Sequence, residues 1–129
     1  MPSSEGNYID GNIHGEYKWF HEDGYLEEKG SFKHGVKTGK HKQYYESGAL
    51  SSEYSFNNNG KVAGERLNYY QSGTIQSRYR HSNGVIKGKG IFYHPNGKIS
   101  EKGNYKNDER SGRWKFYDES GKFIEFKNY

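Results

Sequence analysis

The side chains that could bind a metal ion or act as catalytic bases are spread along the 129 residues of the sequence. His21 and His94 occupy equivalent positions of the repeat described below, but at two strands per unit roughly 29 Å separates them, too far to share a metal ion. The other four occupy four different positions: His14, His34, His41 and His81. The absence of cysteine from the sequence excludes a disulfide framework, a thiolate metal site and a cysteine nucleophile. We therefore predict no metal site and no cofactor.

Paired carboxylates and phosphate-binding loops would be other routes to catalysis. Glu27 and Glu28 are adjacent on a predicted strand, so their side chains point to opposite faces. Asp118 and Glu119 fall in a predicted turn. The Gly-Lys-Gly segment 88–90 lacks the third glycine and the following helix of a phosphate loop. Because catalysis needs converging groups, we predict that the protein has no catalytic residues and is not an enzyme.

Glycine recurs at almost constant intervals and divides the sequence into repeats. One set is spaced by 24, 25, 24 and 24 residues: Gly15, Gly39, Gly64, Gly88 and Gly112. A second set has the same spacing: Gly24, Gly48, Gly73, Gly97 and Gly121. This periodicity predicts a single repeat domain over residues 1–129, made of five units: 6–29, 30–53, 54–78, 79–102 and 103–126.

Each unit has the residue pattern of a β-hairpin. The flanking segments alternate with a period of two, which is typical of strands, and no stretch has helical spacing. The second-set glycine falls between the two strands, where a positive φ closes a short hairpin. We therefore predict an all-β fold: an elongated single-layer array of five consecutive antiparallel β-hairpin repeats of about 24 residues each, with two strands per unit.

Aromatic residues must supply most of the core, since the sequence contains thirteen Tyr, seven Phe and two Trp. Five residues after each first-set glycine stands an aromatic: Phe20, Tyr44, Tyr69, Tyr93 and Tyr117. Six residues further on stands an apolar residue: Leu26, Leu50, Ile75, Ile99 and Phe123. A third ladder has one polar member: Tyr8, Phe32, Phe56, His81 and Tyr105. We predict that these three ladders form the core.

The first strand of each unit also carries side chains of opposite parity, and their types vary from unit to unit. Tyr, Trp and Arg dominate binding hot spots. We therefore predict partner-binding residues on this face: Tyr17, Trp19, Tyr45, Arg66, Tyr70, Phe92 and Trp114. The alternative is that the rings cover glycines of neighbouring strands and complete a thin core. Both readings stay open, and they can hold at different units.

The charge is mild overall but unevenly placed. Lys and Arg number 20 and Asp and Glu 16, which gives a formal net charge of +4. Basic residues concentrate in the middle units: Lys33, Lys37, Lys40, Lys42, Lys61, Arg66, Arg78, Arg80, Lys87 and Lys89. This distribution either reflects ordinary mixing of surface charge or steers an acidic partner. An anionic membrane surface is a further alternative, whereas the small net charge argues against nucleic acid.

The repeated Gly-x-aromatic-x-x-aromatic segment and the turn of Asn or Ser, Gly and an apolar residue resemble the MORN repeat, in the variant found in bacterial proteins of the YwqK antitoxin type. The resemblance covers residues 6–126. It is clearest in 112–123 (GRWKFYDESGKF), 15–20 (GEYKWF) and 94–99 (HPNGKI). The sequence departs from the pattern at four positions: Tyr54, Tyr79, Gly90 and Asp108.

The resemblance implies a non-catalytic protein-binding module, an immunity or antitoxin-like protein that neutralises a cognate bacterial toxin or effector by occluding it. Relatives of the repeat in eukaryotes imply the alternative of a peripheral phospholipid-binding or scaffold module. The sequence shows neither a secretory signal nor a run of 18 apolar residues, so we expect a cytoplasmic location, or a periplasmic one if a leader peptide has been removed. An open array also leaves edge strands through which the protein could self-associate.

Overall fold

The computed structural model describes residues 3–9 and 11–129, and its regular structure consists of β-strands. The strands are β1 (Ser3–Ile9), β2 (Asn12–Phe20), β3 (Leu26–Lys33), β4 (Val36–Tyr44), β5 (Leu50–Phe56), β6 (Gly64–Tyr69), β7 (Ile75–Ser82), β8 (Val85–Ile86), β9 (Gly88–Tyr93), β10 (Ile99–Lys106), β11 (Glu109–Tyr117) and β12 (Phe123–Asn128). None of the described residues lies in a helix, so these parts of the chain hold no helix that could cross a membrane. The predicted all-β fold is confirmed.

The strands form one open sheet in which neighbours along the chain are neighbours in space. The sheet order runs from β1 to β7 and then from β9 to β12, while the short β8 also pairs with β7. Every paired strand is antiparallel, which confirms the predicted hairpin array. The sheet contains two strands more than the two predicted for each of the five units. Strand β1 extends the N-terminal edge, and a break at Lys87 separates β8 from β9.

A glycine with positive φ closes each hairpin. Gly24 has φ +93° and donates its N–H to the carbonyl oxygen of His21 at 2.8 Å. The equivalent glycines have φ between +90° and +94°: Gly48, Gly73, Gly97 and Gly121. Side chains with a Cβ are disfavoured in this conformation, which explains why glycine recurs at this position. The predicted turn positions are confirmed.

The two faces of the sheet carry different side chains. Side chains alternate between the faces along each strand, and cross-strand pairing aligns them in rows. We call one side the ring face; its side chains include Tyr17, His41, Tyr54 and Trp114. We call the opposite side the lysine face; its side chains include Lys18, Lys29, Lys42, Lys102 and Lys115.

On the ring face, side-chain rings lie against glycines of neighbouring strands. Trp114 on β11 covers Gly103 on β10, and a methyl group at Gly103 would overlap the indole. Three further pairs repeat this contact: Tyr17 with Gly6, His41 with Gly30, and Tyr105 with Gly90. Trp114 and His41 are fully buried. The best-buried part of the protein is therefore a layer one side chain deep on the ring face.

This core differs from the predicted one. The buried hydrophobic side chains are Tyr17, Phe32, Tyr54 and Trp114, and of these only Phe32 belongs to a predicted ladder. The ladder from Phe20 to Tyr117 is half-buried and lies on the lysine face. The physical reason is that all strands belong to one sheet. The aromatic side chains of this ladder are covered only by neighbouring side chains on the same face. Rings that lie over a glycine instead contact the backbone directly and are therefore more deeply buried.

We expect Gly103→Ala to lower the free energy of unfolding by about 1–3 kcal/mol, because the new methyl group would push a fully buried indole out of its position. Asn104→Ala is the matched control, since Asn104 is the next residue on β10 and its side chain is exposed. The control should change the unfolding free energy by less than about 0.5 kcal/mol. Urea unfolding measures both. Equal stability of the two variants would show that the ring does not depend on the glycine.

Candidate functional site

The seven predicted partner-binding residues have different environments. Tyr17 and Trp114 are 5% and 0% exposed, and their rings cover glycines. Trp19 packs beside Tyr17, with ring centroids 4.5 Å apart, and near Phe32 at 5.6 Å. These three rings are part of the core of their repeats. The other four predicted residues lie at the middle of the array: Tyr45, Arg66, Tyr70 and Phe92.

Tyr45 and Tyr70 link neighbouring repeats. The hydroxyl of Tyr45 donates to the carbonyl oxygen of Tyr69 at 2.5 Å, and that of Tyr70 donates to the carbonyl oxygen of Tyr93 at 2.6 Å. His94 makes the same link in the next unit, through Nε2 at 2.9 Å from the carbonyl oxygen of Tyr117. The sequence predicts no such link for His94, which we considered there only as a metal ligand. Its spacing of 24 residues from Tyr70 is the signal that could have identified it.

A pocket of about 420 Å³ opens near the middle of the sheet and is lined by residues of β4, β5, β6, β7 and β9. We call it the central pocket. It contains three predicted partner-binding residues: Tyr45, Arg66 and Phe92. Six further lining residues complete it: Gln43, Ser51, Ser52, Asn68, Gln76 and Ser77. The prediction did not include these six. Their signal in the sequence is a row in which bulky side chains give way to Gln, Ser and Asn.

Strand register places the polar side chains in the pocket. Ser52 pairs with Gln43 on one side and with Asn68 on the other, and Asn68 pairs with Ser77. Ser77 in turn pairs with Phe92, which ends the polar row. The register shifts beside this row at the ends of β5 and β7, where bulges add one residue to the strand. The bulges explain how Ser51 and Gln76 also reach the pocket wall.

A hydrogen-bond network holds the polar row in place. Ser52 Oγ donates to Gln43 Oε1 at 3.0 Å, and Asn68 Nδ2 donates to Ser77 Oγ at 2.9 Å. Ser52 and Ser77 are 3% and 4% exposed, so their hydroxyls form the floor of the pocket. Buried polar groups that are hydrogen-bonded have fixed orientations. The network therefore presents amide groups in a fixed arrangement to whatever enters.

Arg66 is the one cationic side chain in the pocket wall. Its guanidinium carbon lies 4.7 Å from the centroid of the Tyr54 ring, and its Nε donates to Asn68 Oδ1 at 3.3 Å. Among the described residues, no carboxylate lies within 4.0 Å of its nitrogens. Burial, and then the positive charge of Arg66, lowers the pKa of the nearby His81. The half-buried guanidinium of Arg66 therefore retains N–H groups that can donate hydrogen bonds to an acceptor on a bound partner.

A separate titratable cluster lies beside the pocket on the ring face. His41 Nε2 donates to the carbonyl oxygen of Ser31 at 3.1 Å, because a carbonyl oxygen can only accept. Its Nδ1 lies 3.6 Å from Glu28 Oε1, and the same oxygen accepts from the Tyr54 hydroxyl at 2.9 Å. The cluster joins β3, β4 and β5. Its role in the structure is therefore to hold adjacent hairpins together.

The cluster shifts two pKa values. The imidazole of His41 beside it lowers the pKa of the Glu28 carboxyl, and this effect outweighs burial. Burial, followed by the Glu28 carboxylate, raises the pKa of Tyr54 to about 12. Glu28 therefore favours its charged form, while Tyr54 keeps its proton as a donor. Within the described ranges 3–9 and 11–129, no three His, Asp or Glu side chains are grouped so that they could hold a metal ion.

The lowered pKa of Glu28 makes stability depend on acidity. A carboxyl whose pKa is lower in the folded state stabilises the fold above its unfolded value of about 4.3, and this contribution is lost as the pH falls through the folded value. We expect Glu28→Gln to lower the free energy of unfolding by about 1–2 kcal/mol at pH 7. Between about pH 5 and pH 3, the free energy of unfolding of this variant should fall less than that of the parent chain. Urea unfolding at several pH values measures this.

The control for that experiment is Glu16→Gln, which changes an exposed carboxylate on the lysine face. It should retain the acid dependence of the parent chain. If Glu28→Gln and the parent lost stability in parallel below pH 5, the carboxylate of Glu28 would not be the group responsible.

Comparison with known proteins agrees with the repeat architecture. The sequence pattern described as the MORN repeat variant matches four segments, which together cover more than half of the chain: residues 13–34, 37–58, 86–107 and 110–128. Each segment spans a hairpin-sized part of the sheet. Residues 59–85, which include Arg66, Asn68 and Ser77, lie between the second and third matches. No curated protein matches the chain. By the extent of these four matches, the chain belongs to the MORN repeat variant family.

Proposed function

We propose that the chain is a non-catalytic protein-binding module that recognises its partner through the central pocket. The observation that carries this proposal is the guanidinium of Arg66, which is held by the Tyr54 ring and by Asn68 but is paired with no carboxylate of the described residues. A half-buried, preorganised guanidinium binds a carboxylate or a carbonyl oxygen strongly. An acidic or amide side chain of a partner is therefore the group that fits.

The position of the pocket within the array supports this assignment. Toward the N-terminus, the ring face is filled by packed rings such as Phe32 and His41, whose centroids are 6.0 Å apart. Toward the C-terminus, Tyr105 and Trp114 pack at 5.1 Å. Between these two clusters, polar groups replace the rings, and this part includes the segment that the repeat pattern does not match. A repeat array can vary such a unit because its neighbours supply the stability.

The chemistry of the pocket favours binding over catalysis. The lining residues are Gln, Tyr, Ser, Arg, Asn and Phe, and none of them is a carboxylate or an imidazole that could act as a general base at neutral pH. Ser52 and Ser77 are held in hydrogen bonds to amides rather than beside a base. A nucleophilic serine needs such a base. We therefore assign the serines to the floor of a recognition site.

The finer form of the proposal is that the partner is a cognate bacterial toxin or effector, and that the chain neutralises it by occlusion in the manner of an immunity or antitoxin protein. The resemblance of the repeat to bacterial proteins of the YwqK antitoxin type motivates this form. A single-layer sheet suits occlusion, because it offers a broad surface with little mass behind it. Hot-spot contacts would come from Arg66, Phe92 and Tyr45.

We expect the chain to form a stable complex when it is co-expressed with the product of the adjacent gene, and we expect Arg66→Ala to weaken that complex by about 2 kcal/mol, or about thirtyfold in Kd. Calorimetric titration of the purified proteins measures the change. Arg80→Ala is the matched control, because Arg80 is an exposed arginine of the neighbouring strand on the lysine face. The control should bind like the parent chain.

Two outcomes separate the parts of the proposal. Recovery of the chain alone at low salt would contradict the toxin-neutralising function. A complex that Arg66→Ala and Arg80→Ala weaken equally would retain the binding function but remove the central pocket as its site. Circular dichroism of both variants would confirm that the sheet is intact.

A further inference from the structure

The lysine face carries a second cleft over β9, β10 and β11, on the side of the sheet opposite to the ring face. The cleft has a volume of about 320 Å³. We call it the basic cleft, and its charged side chains are Lys89, Lys102, Arg113 and Lys115. Ile91 and Ile99 supply the apolar part of its wall. No acidic residue lines it. The cleft therefore combines an apolar wall with four positive charges.

These four charges have no counterion among the described residues. The carboxylate nearest in sequence to Lys102 is Glu101, and it pairs with Arg110 at 2.6 Å on the ring face. Lys102 and Arg113 are instead placed against rings: the Lys102 Nζ lies 5.7 Å from the Tyr117 centroid, and the Arg113 guanidinium carbon lies 4.0 Å from the Phe126 centroid. The cations are thus positioned but not neutralised.

Strand pairing increases their mutual repulsion. Lys102 on β10 is directly opposite Lys115 on β11, and like charges in this position destabilise a sheet. Arg113 and Lys115 are alternate residues of β11, so about 7 Å separates them along the strand. An extended peptide repeats its same-side side chains at this interval. Carboxylates at alternate positions of such a peptide would match the two cations.

We propose that the basic cleft binds an acidic, extended segment of a partner protein. Alternate carboxylates of the segment pair with Arg113 and Lys115, Lys102 and Lys89 neutralise further acidic groups, and an apolar side chain lies on Ile91 and Ile99. This surface is distinct from the central pocket, because it lies on the other side of the sheet. It adds a second contact to the proposed binding function and names the chemistry of the group that makes it.

The distribution of acids over the lysine face favours a peptide over a membrane. Over strands β1 to β5 the same face carries carboxylates next to the bases: Glu5 is the cross-strand neighbour of Lys18, and Glu53 is the cross-strand neighbour of Lys42. Arg78 forms an ion pair with Glu65. A flat anionic membrane would meet these acids together with the bases. The uncompensated charge extends over three strands, about 10 Å across, so the side chains of one extended peptide can reach it.

The lining of the cleft also argues against a nucleic acid. Single-stranded nucleic acids are bound by aromatic side chains that stack on the bases. The lining residues of the basic cleft include no aromatic side chain. The two isoleucines instead offer a surface for an aliphatic side chain. The combination of isoleucine and unpaired cations is the pattern expected for an acidic protein segment with apolar residues in it.

The test uses the intact protein and a fluorescein-labelled, terminally blocked peptide of about eight residues, in which the alternate positions that share one side carry Glu, Glu, Glu and Val and the other positions carry Ser. Fluorescence anisotropy should show saturable binding that weakens as salt is raised. The double substitution Lys102→Gln and Lys115→Gln should weaken binding by about tenfold or more. The matched control is Lys18→Gln with Lys29→Gln, a pair of lysines that oppose each other on the same face in the same way. The control should bind within about twofold of the parent chain.

The outcomes decide between the candidate ligands. Equal weakening by both double variants would overturn the proposal in favour of unspecific charge attraction. Sedimentation with phosphatidylserine vesicles without peptide binding would overturn it in favour of a membrane surface. The Arg66→Ala variant should bind the peptide like the parent chain. Failure of the peptide to bind would therefore reject the basic cleft and leave the central pocket unaffected, while loss of partner binding on Arg66→Ala tests the central pocket alone.

Discussion

The contact between a ring and a glycine of the next strand is the interaction on which this sheet depends. The fold has no second sheet or helix layer among its described residues to cover either face. A side chain can become buried only by descending to the backbone, and this requires a neighbour without a Cβ. Trp114 on Gly103 and His41 on Gly30 reach full burial in this way. Each such contact also joins two adjacent strands, so the same feature provides both the core and the cohesion between hairpins.

The central pocket arises where this contact is replaced. Tyr54 stands at the position that Gly30 and Gly103 occupy in their units, so no ring can lie against the backbone there. The opposing position holds Arg66, whose guanidinium lies over the Tyr54 ring instead. The adjacent row becomes a hydrogen-bonded series of amides and hydroxyls. A change of residue types at fixed backbone positions thus converts a packed layer into a polar pocket.

The sequence was sufficient to predict the hairpin array and its turns, because glycine spacing and period-two alternation are local signals. The location of the core could not be read in the same way. Phe20 and Tyr17 are both aromatic, and only the cross-strand register shows that Tyr17 faces Gly6 and Gly30. The same holds for the site. Arg66 was a visible candidate, but Ser52 and Ser77 were not, since their position beside Asn68 follows from the register between neighbouring strands, which the bulges shift.

The alternation of side chains between the two faces along each strand also separates the charged groups of the protein. On the ring face, acidic side chains are matched: Glu28 lies beside His41, and Glu101 pairs with Arg110. Because these acids lie on the ring face, they do not compensate the cations of the basic cleft on the other face. A register slip of one residue would exchange the faces. The positive-φ glycines that set the turns and bulges, such as Gly24 and Gly88, therefore also keep a polar recognition pocket and a basic cleft on opposite sides of one sheet.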